Sequence, residues 1–206
     1  MVYVDSLIIV RRNETALDFS VSVDLVNDYA MRVKIAKVGG HVFDKADGNL
    51  VDNADAIDSY DVDLVSRLLT KLGNVNQYKI AVIGTNLVRK EFRSESCVTR
   101  AIYQSVLADL KAVGCSHVCM MVLPLDYPGV DFGEDEKNDN GTLVSLYTDA
   151  GFFVYQTKGQ EDLLIAPLSE CGDVEFFPDE DGEKLDALHR FCWSLAQSSN
   201  EGVDIE

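Results

Sequence analysis

The sequence predicts an α/β domain built around a mixed β-sheet. Between residues 77 and 168, two apolar helical patterns alternate with short β-branched runs, in the order strand, helix, strand, helix, strand, strand. Helices that cross between strands imply partly parallel pairing within one sheet. The length of 206 residues and the 47% apolar content fit one globular domain with a real core, and no low-complexity linker divides the chain.

The first third of the chain predicts mainly strands. Residues 2–10 and the alternating apolar positions of 17–25 each predict a strand, although a helix over 15–29 would bury a similar set. Residues 31–44 predict a hairpin whose turn is the Gly-Gly pair at 39–40. Residues 44–52 imitate a calcium-binding loop without its full ligand order, so they predict a simple turn.

A polar connection is expected at residues 53–61, followed by a helix over 61–72 that ends at Gly73. The remaining elements follow from apolar runs and helical stripes separated by Gly and Pro. They are strands over 78–88 and 116–125, helices over 96–114 and 140–151, strands over 152–157 and 162–168, and an amphipathic helix over 182–199. We therefore expect a domain over 1–168, best supported over 77–168, and a C-terminal extension over 169–206.

The overall charge limits the function classes. The formal net charge is −17, with 18 Lys and Arg against 35 Asp and Glu, so broad binding to nucleic-acid phosphates is not expected. A solvated acidic surface explains the imbalance, and a cationic partner is the alternative. The absence of a membrane-length apolar run and of a signal-peptide pattern predicts a cytoplasmic protein that binds no membrane.

The five cysteines predict buried, reduced thiols. Their number is odd, no C-x-x-C occurs, and the His and Cys spacings match no zinc signature. Cys115 and Cys119 fall in an apolar strand-like run, which suits buried thiols. No metal site is expected. The three histidines are far apart in the sequence, and each is interpreted as a surface or hydrogen-bonded residue.

One basic segment stands out in this acidic chain. Residues 88–100 contain Arg89, Lys90, Arg93 and Arg100, at the point where a predicted strand turns into a predicted helix. The first amides of a helix lack internal partners and its dipole is positive there, which suits an anion. The cations either complete such an anion site or offset neighbouring acidic residues.

The segment "NGTLVSLYTDAGF" at 140–152 resembles the pattern N-x-x-A-x-x-L-Y-x-x-x-G-F of the GNAT superfamily of acyl-CoA N-acyltransferases. Five residues match in register, and Leu143 replaces the usual small residue. The matching residues are Asn140, Leu146, Tyr147, Gly151 and Phe152. The element order over 77–168 is also similar to that of the family, which implies a splayed mixed sheet flanked by helices.

The resemblance is weaker at the family's phosphate-binding turn, [Q/R]-x-x-G-x-[G/A]. Counting back from Gly114 places Ser94 at the Gln/Arg position, beside Arg93, and Cys97 and Thr99 at the glycine positions. Side chains there crowd the pyrophosphate, because glycine allows φ > 0 and a close approach of backbone to ligand. The predicted helix over 61–72 is a second departure from the family's usual order.

What the resemblance implies is an enzyme that uses acetyl-CoA to acylate an amine. The strand backbone at Leu87 and Val88 would pair with the pantetheine, and Asn140 would fix the pantetheine or order a water. Tyr147 would protonate the leaving thiolate. The CoA pyrophosphate would be held by Arg93, Ser94, Cys97, Val98, Thr99 and Arg100.

The base that takes the amine proton is left open among carboxylates, with Glu91 the leading candidate beside Glu95 and Asp126. The acidic surface suits an amine-bearing small molecule or a Lys-rich protein as acceptor. The alternative is a catalytically inactive GNAT-like protein. It would serve as a structural, accessory or acidic protein-binding subunit, in a homo-oligomer or a larger assembly such as a phage-associated one.

Overall fold

The computed structural model describes residues 2–27, 32–73, 78–89, 92, 96–122, 140–156 and 162–171, with residues 2, 96, 97 and 140–143 described by their backbone only. These residues form an α/β fold around a mixed seven-stranded sheet. The strands are β1 (Val2–Arg12), β2 (Leu17–Asn27), β3 (Arg32–Asp44), β4 (Lys79–Val88), β5 (His117–Met121), β6 (Phe153–Tyr155) and β7 (Leu163–Pro167). Their order in the sheet is β1-β2-β3-β4-β5-β7-β6.

All neighbouring strands run antiparallel except β4 and β5, which are parallel. The chain from β4 to β5 passes through a helix, as a parallel pair requires. The helices are α1 (Leu50–Asp55), α2 (Ser59–Leu72), α3 (Ser96–Ala112) and α4 (Asn140–Asp149), and a short 3-10 helix occupies Lys45–Asp47.

The helices cover the two faces of the sheet separately. On one face α3 and α4 bury a cluster that includes Ile102, Val106 and Tyr147 against Val21, Ile83 and other strand residues. On the other face α1 and α2 bury Leu64, Leu68 and their neighbours against Ile80, Val82 and Cys119. Adjacent residues of β4 therefore alternate between the two cores, as the two-residue repeat of a strand requires.

The prediction of a mixed α/β sheet is confirmed, as is every predicted strand and helix between β4 and β7. Gly114 (φ 91°) and Gly151 (φ 109°) adopt the positive φ expected where α3 and α4 end. Cys115 and Cys119 are buried free thiols, as predicted. The predicted helix over 182–199 lies outside the described residues. Within the described segments, no helix is long and apolar enough to cross a membrane.

The prediction of a hairpin over 31–44 is wrong. β3 is one strand of thirteen residues that runs straight through Gly39 and Gly40. A Cβ atom on Gly40 would lie 1.9 Å from the carbonyl oxygen of Val82 on β4, and one on Gly39 would lie 3.2 Å from the carbonyl oxygen of Phe19 on β2. The two glycines allow close approach of neighbouring strands rather than a turn.

The polar connection expected at residues 53–61 is also wrong in part. It contains the end of α1 and the first turn of α2, which begins two residues before the predicted start. The residue before each helix caps it with a polar side chain, and residues of this type are also common in loops. Asn49 accepts from the amide of Val51, and Asp58 accepts from the amide of Asp61. The departure predicted from the family order, a helix between the early strands and β4, is confirmed.

Candidate functional site

A gap opens in the middle of the sheet. β4 pairs with β5 only over residues 80–82, opposite 117–119, although β4 continues to Val88. On its other side β4 stays paired with β3 as far as Val88. Among the described residues, β4 therefore has no strand pairing on the β5 side from Ile83 to Leu87, and this stretch forms one wall of the gap.

A bulge in β4 lies at the start of the gap. Gly40 pairs with Ile83 and Gly39 pairs with Thr85, so Gly84 is an extra residue in β4. A bulge bends its strand and redirects the side chains that follow it. Asn86 is one of these, and it faces the α3 and α4 side of the sheet.

Asn86 belongs to a buried polar cluster with two tyrosines. Its Nδ2 donates to the hydroxyl of Tyr147 over 3.1 Å, and the hydroxyl of Tyr103 lies 3.4 Å from that of Tyr147. Both tyrosines are 0% exposed and Asn86 is 6% exposed. The two rings meet edge to face with centroids 4.9 Å apart, and Phe152 packs edge-on against both.

This cluster has unused hydrogen-bonding capacity. The Oδ1 of Asn86 is buried and accepts no hydrogen bond from the described part of the chain. Burial raises the pKa of Tyr147 to about 12 and also raises the pKa of Tyr103. Both phenols are therefore neutral donors at ordinary pH. Buried amide oxygens normally have a partner, so Asn86 marks a functional candidate.

Tyr60, near the start of α2, bridges the two sides of the gap at its base. Its hydroxyl donates to the carbonyl oxygen of Ile83 on β4 over 3.0 Å and accepts from the amide of Met121 on β5 over 3.4 Å. These backbone groups lie just beyond the last parallel pair, Val82 and Cys119. The hydroxyl of Tyr60 thus takes the place of a direct backbone hydrogen bond between β4 and β5 and sets the distance between the two strands at this point.

On the α2 face, an open cleft of about 440 Å³ lies over the bulge. It is lined by Gly40, His41, Asp58, Tyr60, Asp61, Gly84 and Thr85. The Nδ1 of His41 lies 2.7 Å from Oδ2 of Asp61, and its Nε2 lies 3.6 Å from Oδ1 of Asp18. The close contact with the Asp61 carboxylate, together with the charges of Asp61, Asp18 and Asp58, raises the pKa of His41 despite its partial burial.

Asp61 is a buried carboxyl residue at the start of a helix. It stands in the first turn of α2, where the helix dipole favours an anion. Only 2% of its side chain is exposed. A buried carboxylate beside an imidazole orients the ring and stabilises its protonated form, an arrangement that suits an imidazole acting as a base.

The described structure brings some of the predicted site residues to the gap. Leu87 and Val88 lie at the end of β4, the strand that forms one wall of the gap. Tyr147 is hydrogen-bonded to Asn86 in the same part of β4. Val98, Thr99 and Arg100 lie in the first turn and a half of α3. The side chains of Val98 and Thr99 are buried, and the hydroxyl of Thr99 has no hydrogen-bond partner among the described residues, while Arg100 is partly exposed.

The other predicted site residues are described only in part. Glu91, Arg93, Ser94, Glu95 and Asp126 lie outside the described residues, as does Lys90 of the basic segment. For Cys97 and Asn140 the structure describes the backbone, at the starts of α3 and α4. Their predicted roles stay predictions.

Sequence reasoning missed Asn86, Tyr60, and the pair His41 and Asp61. Asn86 is the one strongly polar side chain inside an otherwise apolar strand, a signal that was present in the sequence. The pair is separated by twenty positions in the chain, and no spacing rule connects a strand residue with the first turn of a later helix. Among the described residues, no group of three or more His, Cys, Asp or Glu side chains is placed to hold a metal ion.

Comparison with known proteins adds no relative. No family model, no curated protein and no solved structure matches this chain.

Proposed function

We propose that this protein is an acyl-CoA-dependent N-acyltransferase with a GNAT-like fold. One observation carries the proposal: β4 pairs with β5 only as far as Val82, and on the sheet face covered by α3 and α4 the hydroxyl of Tyr147 lies 3.1 Å from the side-chain amide of Asn86. The strand order, the parallel pair at the centre and the motif over 140–152 also support it. In this proposal the pantetheine of the acyl donor lies along the edge of β4 that faces β5 beyond Val82, with its amides bonding to that edge.

The proposed acceptor approaches from the opposite face. The cleft over the bulge is lined by Asp58 and Asp61, which favour a cationic amine. An ammonium group must lose a proton before its nitrogen can attack the thioester carbonyl, and His41 is the proposed base. This assignment replaces Glu91 as the leading candidate, because His41 is placed by the structure in a cleft at the gap.

In the proposed reaction the amine nitrogen forms a bond to the acyl carbon and the carbon–sulfur bond breaks. His41 takes the first proton from the ammonium group and passes it to solvent; the proton that the nitrogen loses as the amide forms then passes to His41, and the sulfur leaves as a thiolate that accepts a hydrogen bond from Tyr147. Complete transfer of the Tyr147 proton is unfavourable, since its pKa of about 12 lies well above the ~8.5 of an ordinary thiol. We therefore assign Tyr147 the stabilisation of the thiolate, which later takes its proton from solvent.

Two measurements test the proposal. Calorimetry with acetyl-CoA should show binding, and release of free thiol should follow when a polyamine or a Lys-rich peptide is added. Tyr147→Phe should lower turnover by about tenfold or more, because a hydrogen bond to a charged group contributes about 1.5–3 kcal/mol. Tyr103→Phe is the comparison variant, since it removes a neighbouring buried hydroxyl, 3.4 Å from that of Tyr147, to which the proposal gives no contact with the thiolate. Lack of acetyl-CoA binding at millimolar concentration would overturn the proposal.

A second candidate is a catalytically inactive GNAT-like protein that acts through protein contacts. Tyr60 favours this candidate, because its hydroxyl is already hydrogen-bonded to the carbonyl oxygen of Ile83 and to the amide of Met121 at the base of the gap. Cys97 and Thr99 at the glycine positions point in the same direction. Purification from cells at low salt should then recover a basic protein partner that is lost at high salt, while acetyl-CoA does not bind.

A further inference from the structure

β1, the strand at one end of the sheet, has few of the features that prevent an edge strand from pairing with another strand. It spans eleven residues, and its pairing with β2 runs through all of them without a bulge. Edge strands are normally protected from further pairing by Pro, by charged side chains, by bulges or by short length. The sequence of β1, VYVDSLIIVRR, contains no Pro, and its charged residues Asp5, Arg11 and Arg12 leave residues 6–10 uncharged. Its edge is therefore suited to pairing with another strand.

The outward face of β1 is apolar at its centre. Leu7 is 64% exposed and Ile9 is 47% exposed, and they account for two of the three large apolar side chains exposed in the described part of the chain. Their neighbours on β2 are Ser22 and Ser20, which are too small to cover them. The opposite face of β1 is already packed, because Val4, Ile8 and Val10 lie in the core under α3.

The charges on this outward face are arranged symmetrically around the apolar centre. Asp5 precedes Leu7 by two residues, and Arg11 follows Ile9 by two residues. An antiparallel copy of the same strand, centred on Ile8, places Asp5 opposite Arg11 and Leu7 opposite Ile9. A shift of two residues would instead place Asp5 opposite Ile9. The strand is therefore self-complementary in one register.

We propose that β1 pairs with β1 of a second copy of this chain, about a two-fold axis through Ile8, to form a continuous fourteen-stranded sheet. A two-fold interface of this kind uses the same surface on both copies and closes after two. Directly opposed side chains in an antiparallel pair have Cβ atoms about 4.5–5.5 Å apart, so Leu7 and Ile9 of the two copies form one apolar patch. Asp5 already binds Arg32 of its own chain over 2.5 Å, and Arg32 also lies 3.5 Å from Asp24, so Arg11 of the second copy completes a four-residue ionic group.

The oligomeric state of the full chain tests the proposal. Sedimentation velocity over a concentration series should show a dimer that dissociates on dilution. Leu7→Lys and Ile9→Lys should each raise the dissociation constant at least tenfold, because each places an amine opposite an apolar side chain. Phe153→Lys is the matched control: Phe153 is 55% exposed on β6, at the other end of the sheet, and its replacement should leave the dimer unchanged.

Cysteine crosslinking tests the register itself. Ile8→Cys should give a disulfide-linked dimer, because residue 8 opposes its own counterpart. Arg12→Cys should not, since residue 12 opposes residue 4 and its own counterpart lies about 27 Å away at ~3.4 Å per residue. A chain that is monomeric at 100 μM overturns the proposal. So does a dimer that survives both lysine variants or dissociates with Phe153→Lys, or crosslinking at residue 12 without crosslinking at residue 8.

Discussion

The Nδ1 of His41 lies 2.7 Å from Oδ2 of Asp61, on a carboxylate that is almost completely buried at the start of α2. The pair joins β3 to α2 directly over the bulge of β4. It combines a structural role, which fixes the helix on the sheet, with a basic imidazole at the edge of an open cleft. Its protonation should therefore influence both stability and any reaction in the cleft.

The first prediction concerns stability and pH. The close contact with the Asp61 carboxylate raises the pKa of His41 in the folded state above its unfolded value of about 6.5. The stabilising contribution is then fully present below pH ~6.5 and is lost as the pH rises through the folded pKa. Urea unfolding of the wild type and of His41→Gln between pH 5.5 and 8.5 should show a difference that shrinks with rising pH.

His117 is the matched control for this measurement. Burial lowers its pKa in the folded state, so it opposes folding below pH ~6.5 and its effect has the reverse sign. His117→Gln should relieve a destabilisation at low pH that disappears as the pH rises. If the stability difference between wild type and variant changed with pH in the same direction for His41→Gln and His117→Gln, the opposite pKa shifts of the two histidines would be contradicted.

The second prediction concerns the bridge across the gap. Tyr60→Phe removes the hydroxyl that serves Ile83 and Met121 and leaves both backbone groups without that partner. Leaving buried polar groups unsatisfied costs about 1–3 kcal/mol, so the free energy of unfolding should fall by that amount. Chemical denaturation measures it, and Tyr155→Phe on the edge strand β6 should change stability far less. An unchanged midpoint for Tyr60→Phe would show that the bridge carries no stability.

The third prediction contrasts two glycines at the bulge. Gly40→Ala brings a Cβ atom to 1.9 Å from the Val82 carbonyl oxygen, which forces β3 and β4 apart. Overpacking of this kind costs about 1–3 kcal/mol or more, and we expect a loss near or above the upper end. Gly84→Ala meets its first described neighbour, the ring of Tyr60, only at 3.9 Å and should be tolerated. Thermal unfolding of both variants measures the two losses of stability. Equal losses would contradict a close approach of β3 to β4 at Gly40.

The fourth prediction separates stability from function at Asn86. Asn86→Leu removes the buried Oδ1, which has no partner among the described residues, and also the Nδ2 that donates to the hydroxyl of Tyr147; that hydroxyl keeps the hydroxyl of Tyr103 as a neighbour at 3.4 Å. The first loss favours the folded state and the second opposes it, so the two largely offset, whereas activity suffers when the polar group serves a ligand. We expect unfolding free energy to change by less than about 1 kcal/mol while acetyl-CoA binding measured by calorimetry weakens at least tenfold. A large loss of stability, or unchanged binding, would show that Asn86 is structural.

The predicted and observed elements agree best where the sequence is locally consistent. Between β4 and β7, apolar runs and helical stripes are each bounded by glycine or a polar turn, and every element appears at its predicted place. The agreement fails at Gly39 and Gly40, because a pair of glycines is a turn signal when only the neighbouring residues are considered. Glycine is required at position 40 because any Cβ there would lie 1.9 Å from the carbonyl oxygen of Val82. That carbonyl belongs to a strand residue forty-two positions later in the chain.

The sequence by itself determined the α/β class, the order of the elements after residue 77 and the position of Tyr147 at the end of α4, since these depend on periodicity and on contacts within a few residues. Only the tertiary structure decided that β4 parts from β5, that Tyr60 bridges the separation, and that Asn86 and Tyr147 meet. It also decided that His41 and Asp61 form a pair. The physical reason is that these relationships join residues twenty to sixty-one positions apart. Their geometry depends on strand pairing, bulge placement and helix docking, none of which leaves a periodic pattern in the chain.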